Sequence, residues 1–423
     1  MKNFIKTHRY ALFLMIFFVI FLPMTIFLPA QTDNRAIVTG ISIDKKDGKY
    51  NVALQLITPQ SNISNNENLQ IVEDEGESVY GCIKSLGIKL GKFVGLEHAN
   101  ILIIGEGLKD DDLMNVFEYF YRNSKITLST IVVFTDNEAK KLLETSAELN
   151  NNSSSSLQNN LGFNTGAIET SQVATLGSFY NDYFSFSSLA RVPIIEVKTD
   201  KDQSDSSGGQ SSSGGQEGED LFTGQSSGSQ SGSDSSGVKV EPLVQNNGES
   251  ALFKKGKYVA KISKELTNGF SWLDKDTSKG VISLKGVTDN KYFKNADINV
   301  KVESSKTKMK YEIKDNKLIC NATLNLKCKI AEVVTNEQKT KTLIKSLENY
   351  LTPILKEEIR KEVEGTIMES HNYARTNKLD VINFYDKFYK YDLKGLRKVL
   401  TIYGEDYLDV VEMNLKTTVE PYK

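Results

Sequence analysis

The residues with a claim to chemistry come first. Gly224 to Gly228, GQSSG, matches the GxSxG pattern that presents a nucleophilic serine on a strand-to-helix elbow. It lies inside a serine- and glycine-rich tract, with no strand pattern before it and no helix pattern after it, so no elbow is expected. Asp274, Asp276 and Ser278 begin like a calcium loop, but Lys279 stands where that loop needs glycine and Lys285 where it needs a bidentate glutamate. Asp110, Asp111 and Asp112 directly precede the helical apolar pattern Leu113, Val116, Phe117 and Phe120. Weighed against a metal site, they read as an N-cap with charge that complements the helix dipole. His8 precedes the first apolar run, His98 borders a strand pattern, and His371 lies on a polar stretch of helix. Neither HExxH nor CxxC occurs. Glu357-Glu358 falls on the outer face of an amphipathic pattern. The expectation is therefore a protein without catalytic, cofactor or metal residues.

Cys82, Cys320 and Cys328 are too few and too scattered for a disulfide framework. In LICNATLNLKCKI, Leu318, Cys320, Ala322, Leu324, Leu326, Cys328 and Ile330 share one face at period two. Within one continuous strand Cys320 and Cys328 are about 26 Å apart, beyond disulfide reach. They are expected in a core. Fifty-two basic residues face 54 acidic ones, for a net charge of −2, which argues against a nucleic-acid partner.

What positions the rest of the chain is the stretch Ala11 to Leu28, eighteen residues without a charge. Its apolar centre is Leu12, Phe13, Leu14, Ile16, Phe17, Phe18, Val19, Ile20, Phe21 and Leu22. As a helix it would reach about 27 Å, close to the thickness of a hydrocarbon core. Lys2, Lys6 and Arg9 precede it and Asp33 is the first charge after it, so the bulk of the chain is expected outside the cytoplasm. Two readings remain open for residues 1–32. One is an uncleaved membrane anchor. The other is a signal segment cut after Ala30, for which Leu28 is a poor partner two positions earlier.

The elements that follow are expected to form an N-terminal α/β domain over 33–202. Strand patterns at AIVTGISID and YNVALQLITP flank the turn Asp47-Gly48. Asn62 to Glu75 is polar and reads as a loop. A helix carries Val79, Ile83, Leu86 and Leu90 and closes at Gly91. Strands at HANILIIGEG and LSTIVVFTD alternate with helices, the one after the second strand capped by Asn137 or Asp136, which predicts a mixed sheet with helices packed on it. Asn150 to Asn160 is a low-complexity island. A helix over about Glu169–Tyr183 and a strand at VPIIEVKTD follow.

Gln203 to Gly237 holds 13 serines, 9 glycines and five acidic residues in 35 positions. It lacks the apolar area to offset the entropy of ordering, so 203–240 is expected to be a disordered linker between domains. The second domain, 241–423, reads as α+β. It opens with LFKKGKYVAKIS and a segment bearing the single tryptophan, Trp272. A meander at ADINVKVESS, KMKYEIKD and LICNATLNLKCKIAEV turns at Asp315-Asn316. From Asn336 a helical stripe of Leu343, Leu347, Leu351, Ile354, Leu355, Ile359, Val363 and Ile367 is restarted or kinked at Pro353, with Thr352 as cap. DVINFYDKFYKYDL is a further helix. The last strand, with Val411, Met413, Leu415 and Val419 on one face, is expected to join the meander. The fold class is α+β: two exported mixed α/β domains behind an N-terminal transmembrane helix or signal.

Four segments resemble, in order, those of the Ger(x)C family, the C subunits of bacterial spore germinant receptors. They are AIVTGISID at 36–44, EHANILIIGEGL at 97–108 with FYRNSKITLSTIVVF at 120–134, LFKKGKYVAKISKELTNGFSWL at 252–273, and NKLDVINFYDKFYKYD at 377–392. The resemblance implies a non-enzymatic subunit on the outer face of the inner spore membrane, acting with A-type and B-type membrane subunits in the response to nutrient germinants. It covers about residues 33–200 and 245–423. Two departures stand out. Family members are typically lipoproteins, whereas FLPAQTDNR offers no lipobox cysteine, so the apolar run itself must do the holding. The serine-glycine tract also replaces a tighter connection. The competing reading is a membrane-tethered binding protein for a solute or a cell-wall glycan. An extracellular hydrolase ranks third, because paired carboxylates can be catalytic without a sequence signature.

Overall fold

The computed structural model describes residues 35–57, 69–123, 125–149, 173–198, 243–273, 280–289, 292–334 and 351–422, with Met15 and Phe17. Most of the run 11–28, the island 150–160, the tract 203–237, Asp274 to Ser278 and the start of the stripe at 336–350 lie outside these residues. β1 (Arg35–Lys46) and β2 (Lys49–Ile57) form the expected hairpin, with Asp47 and Gly48 both at positive φ in the turn. The loop expected over Asn62–Glu75 is corrected in part. β3 (Leu69–Gly76) pairs antiparallel with β2. An edge strand gives a weak signal because it needs few buried apolar residues: Ile71 and Val72 are half-buried, Glu73 and Glu75 are exposed, and Asp74 pairs with Lys89.

α1 (Val79–Leu90) starts at Ser78, whose side chain accepts from the Gly81 N–H, and ends at left-handed Gly91. β4 (Phe93–Gly95), β5 (Ile101–Ile104), α2 (Leu113–Arg122), β6 (Ile131–Phe134), α3 (Ala139–Leu149), β7 (Ala174–Thr175) and α4 (Leu176–Tyr183) follow. The sheet order is β3-β2-β1-β5-β6-β7, with β4 also on β1. β1, β5 and β6 are parallel neighbours. Helices cover both faces of this centre. Ile101 and Ile103 point toward Leu142 and Leu143 of α3, whereas Leu102 and Ile104 share a core with Leu86 of α1 and Phe117 of α2. That two-sided burial is why ILII and IVVF read as unbroken apolar runs. The helix expected from Glu169 begins at Leu176 in the structure, because Thr175 caps it in a reciprocal pair with Ser178.

The expected boundary at 203–240 separates segments that the structure pairs. β8 (Leu189–Pro193) and β9 (Glu196–Lys198) divide the stretch VPIIEVKTD. Beyond the tract come β10 (Leu243–Gln245), β11 (Ser250–Lys254) and β12 (Lys257–Ile262). β11 runs antiparallel to β8 over five paired positions, and β10 runs antiparallel to β9. Successive side chains of a strand point to opposite faces, and here both faces are buried. Ala190, Val192, Ala251 and Phe253 complete the core of the first half. Leu189, Leu252 and Ile262 belong to the core of the second. The three-stranded sheet β12-β11-β8 is thus a layer shared by both cores.

The second core is built on the antiparallel strands β13 (Gly280–Asp289), β14 (Phe293–Lys314) and β15 (Lys317–Val334). β16 (Val411–Pro421) adds parallel to β15. Asp315 and Asn316 take positive φ in the turn. α5 (Lys264–Ser271) precedes β13, and α6 (Pro353–Thr376) starts with Thr352 accepting from the Leu355 N–H. Pro353 therefore begins the described helix. The helix expected over DVINFYDKFYKYDL is shorter, α7 (Phe384–Tyr391), and Asp392 caps a further one, α8 (Leu393–Tyr403). Cys320 and Cys328 are fully buried in β15, and all three cysteines are free thiols.

Candidate functional site

Of the residues assigned to a membrane segment, Leu12, Phe13, Leu14, Ile16, Phe18, Val19, Ile20, Phe21 and Leu22 lie outside the described part, as does Ala30. Phe17 is helical and exposed. Among the described residues no helix is long and apolar enough to cross a membrane.

The segments that carried the family resemblance meet at joints of the fold. Asp44 ends AIVTGISID, and its carboxylate accepts from the N–H groups of Lys45, Gly107 and Ala139 at 2.9, 3.0 and 3.2 Å. It thereby serves the start of α3, a task expected of Asn137 or Asp136. Those two are engaged elsewhere: the Asn137 side chain accepts from the Val197 N–H, and Asp136 pairs with Lys109 and Lys261. The glycines of ILIIGEGL make room for Asp44. A Cβ on Gly105 would stand 2.1 Å from its Oδ2, and one on Gly107 2.0 Å from the Lys45 carbonyl oxygen. Asp112 caps α2 through the Met114 N–H and accepts from the Tyr183 hydroxyl, while Asp111 pairs with Lys45 at 2.7 Å. That hydrogen bond raises the Lys45 pKa. Asp111 and Asp112 thus serve separate structural partners, and Asp110 is exposed.

In the second half, Gly269 of the GFSWL segment lets α5 touch α6. A Cβ there would meet Ser370 Oγ at 2.0 Å. Asp380, in NKLDVINFYDKFYKYD, is buried and accepts from the N–H groups of Phe384 and Tyr385 and from the Tyr407 hydroxyl, at 2.8, 2.9 and 2.7 Å. Burial pushes its pKa up against the opposing pull of these donors. The next face of the same segment joins the two halves. Phe186 stacks on Tyr385 and packs on Tyr389, its N–H donates to Asp386, and Ser187 hydrogen-bonds Asn383. His371, placed on a polar stretch by its neighbours in sequence, is instead buried against Phe384. It lies on the side of α6 that carries Ile367 and Ala374 inward.

One ionic cluster escaped the sequence reading. Lys261 of β12 lies within 2.9–3.2 Å of Asp136, Glu196 and Glu249, and its pKa is raised by these carboxylates against desolvation. The three partners come from three separate stretches, so no local pattern announces them. A cavity of about 250 Å³ opens between α5, β13 and α6. Lys264, Glu265, Asn268, Trp272, Glu362 and Thr366 contribute to its wall. Asn268 Oδ1 is buried with no donor among the described residues. The volume lies just below the range of drug-sized ligand pockets. The wall offers hydrogen bonds and one aromatic face, with no nucleophile held by a base.

Comparisons with known proteins point to one family. "Spore germination protein N-terminal domain" matches residues 30–197, and "Spore germination B3/GerAC like, C-terminal" matches 248–420. The putative spore germination protein YfkR of Bacillus subtilis (strain 168) is 23% identical over 180 residues, covering 40% of this chain and 46% of that protein. The match thus spans under half the length of that relative. The crystal structure of the GerBC protein superimposes with a TM-score of 0.49 at 14% identity, covering 90% of this chain and 96% of that one. With both halves matched in order, the chain belongs to the spore germination family of the GerAC, or Ger(x)C, type.

Proposed function

We propose that this chain is the non-enzymatic C-type subunit of a spore germinant receptor, acting with A-type and B-type membrane subunits in nutrient-triggered germination. Residues 11–28 hold it at the inner spore membrane, with its bulk outside the cytoplasm. The observation that carries the reading is where the family-like segments fall. Asp44, Gly105, Gly107, Gly269 and Asp380 all lock elements together, as a scaffold for assembly requires. The cavity beside Asn268 supports a second reading, a tethered protein binding a small polar solute or glycan unit.

Affinity purification of the tagged full chain from spore membranes tests the choice. Recovery of A-type and B-type subunits with it supports the receptor reading. A chain that stays in the membrane fraction without them favours the binding protein. A mature chain beginning at Gln31 and free in the soluble fraction overturns the anchor.

A further inference from the structure

We propose that the start of β1 and the turn after α1 form a second contact with the membrane, an interfacial patch of Ile88 and Phe93 with Lys84, Lys89, Lys92 and Arg35 nearby, which rests the folded part of the chain against anionic phospholipid. The inference rests on the anchoring role of residues 11–28 and adds to it a surface for the folded part.

Phe93 and Ile88 are the most exposed large apolar side chains of the folded part, at 77% and 73%. They flank the left-handed turn at Gly91, where the Gly91 and Lys92 N–H groups donate back to the Ile88 and Gly87 carbonyls. Phe93 lies directly beside Arg35 in the parallel register of β4 on β1, a strand spacing of about 5 Å. Chain length places this end of the molecule. Six residues, 29–34, separate the apolar run from Arg35, and at full extension six residues span about 20–22 Å. The patch is therefore held close to the surface into which the run inserts.

Charge points the same way. From Ser78 to Leu96 the chain carries Lys84, Lys89 and Lys92 and no carboxylate. Nearby, Lys89 pairs with Asp74, and Arg35 with Glu97. The far end of β1 is mixed in charge, with Asp47, Glu106 and Asp110 exposed there beside Lys46 and Lys49. An anionic leaflet attracts basic residues near its surface, so the stretch 78–96, with three lysines and no carboxylate, is favoured over the end where carboxylates and lysines are mixed. Aromatic rings with adjacent cationic groups suit the headgroup level.

The test uses the full-length chain in phosphatidylglycerol vesicles, with an environment-sensitive fluorophore on a cysteine at Phe93→Cys or, separately, at Lys46→Cys. Both sites are exposed, and the native Cys82, Cys320 and Cys328 are buried, so labelling is selective. Lys46 stands at the other end of β1, about 35 Å along the strand. Flotation reports the anchor, and quenching by lipids carrying a nitroxide high on the acyl chain reports the patch. The expected result is flotation of both, with a blue shift and loss of most emission at position 93 and neither at position 46. Flotation with unquenched emission at 93 overturns the patch and leaves the anchor standing. Equal quenching at both positions also overturns it, as contact without orientation. Failure to float overturns the anchor and the patch with it.

Discussion

Phe186 stacks on Tyr385 with ring centroids 4.6 Å apart and planes 27° apart, although the two come from opposite halves of the chain. The pair lies at the surface, and Phe186 stays exposed even when stacked. A stacked pair of this kind is worth about 0.5–1.5 kcal/mol beyond area burial. A double-mutant cycle with Phe186→Ala and Tyr385→Ala is expected to show coupling of that size in chemical denaturation. Additive effects would mean that the rings merely adjoin.

Asp380 is expected to be the most costly residue to remove in the second half. Its carboxylate satisfies two backbone N–H groups and the Tyr407 hydroxyl at once. Asp380→Ala leaves three buried donors without an acceptor, at about 1–3 kcal/mol each, so a loss of at least about 3 kcal/mol is expected. Tyr407→Phe removes one hydrogen bond and should cost about 1 kcal/mol or somewhat more. Equal small losses for both variants would show that Asp380 organises nothing.

The buried imidazole of His371 gives stability a pH dependence with a definite sign. Desolvation lowers its pKa, aided by the nearby Arg375, while a hydrogen bond with the Val411 backbone opposes the shift. The unfolded chain therefore takes up the proton first. This contribution is fully present above the unfolded value of about 6.5 and is lost as pH falls toward the folded value, with a slope of up to about 1.4 kcal/mol per pH unit. Melting temperatures of the native chain should fall more steeply between about pH 7 and pH 5 than those of His371→Gln. Parallel curves would refute the assignment.

Local patterns made much of the fold legible. The Asp47-Gly48 hairpin, the Gly91 helix end, the Thr352-Pro353 start and the one-faced row through Cys320 and Cys328 each follow from residues close in sequence, and the structure places each as its pattern implied. What stayed hidden depends on distant partners. Asp44 does for α3 what an adjacent cap does elsewhere, and Lys261 gathers carboxylates from separate strands and loops. β3 shows only Leu69, Ile71 and Val72 as apolar residues because it lies at an edge. His371 looks polar among Glu369, Ser370 and Asn372, yet the helical period turns it inward beside Ile367.

The sharpest departure from a linear reading concerns the two sides of the serine-glycine tract. Composition there argues for independent domains, but β8 and β9 on one side pair with β11 and β10 on the other. Leu189, Val192, Leu252 and Phe253 are buried in the shared layer, and side chains of this type contribute about 1.5–3 kcal/mol each on burial. A chain with a specific protease site placed within 203–237 is therefore expected to remain one species in gel filtration after complete cleavage, and to separate only in denaturant. Phe253→Ala should lower the denaturant needed to separate the fragments, because removing this buried ring from the layer costs about 3–5 kcal/mol. If the cleaved native chain separates at once into two folded pieces, the shared sheet does not bind the halves, and the independent-domain picture is restored.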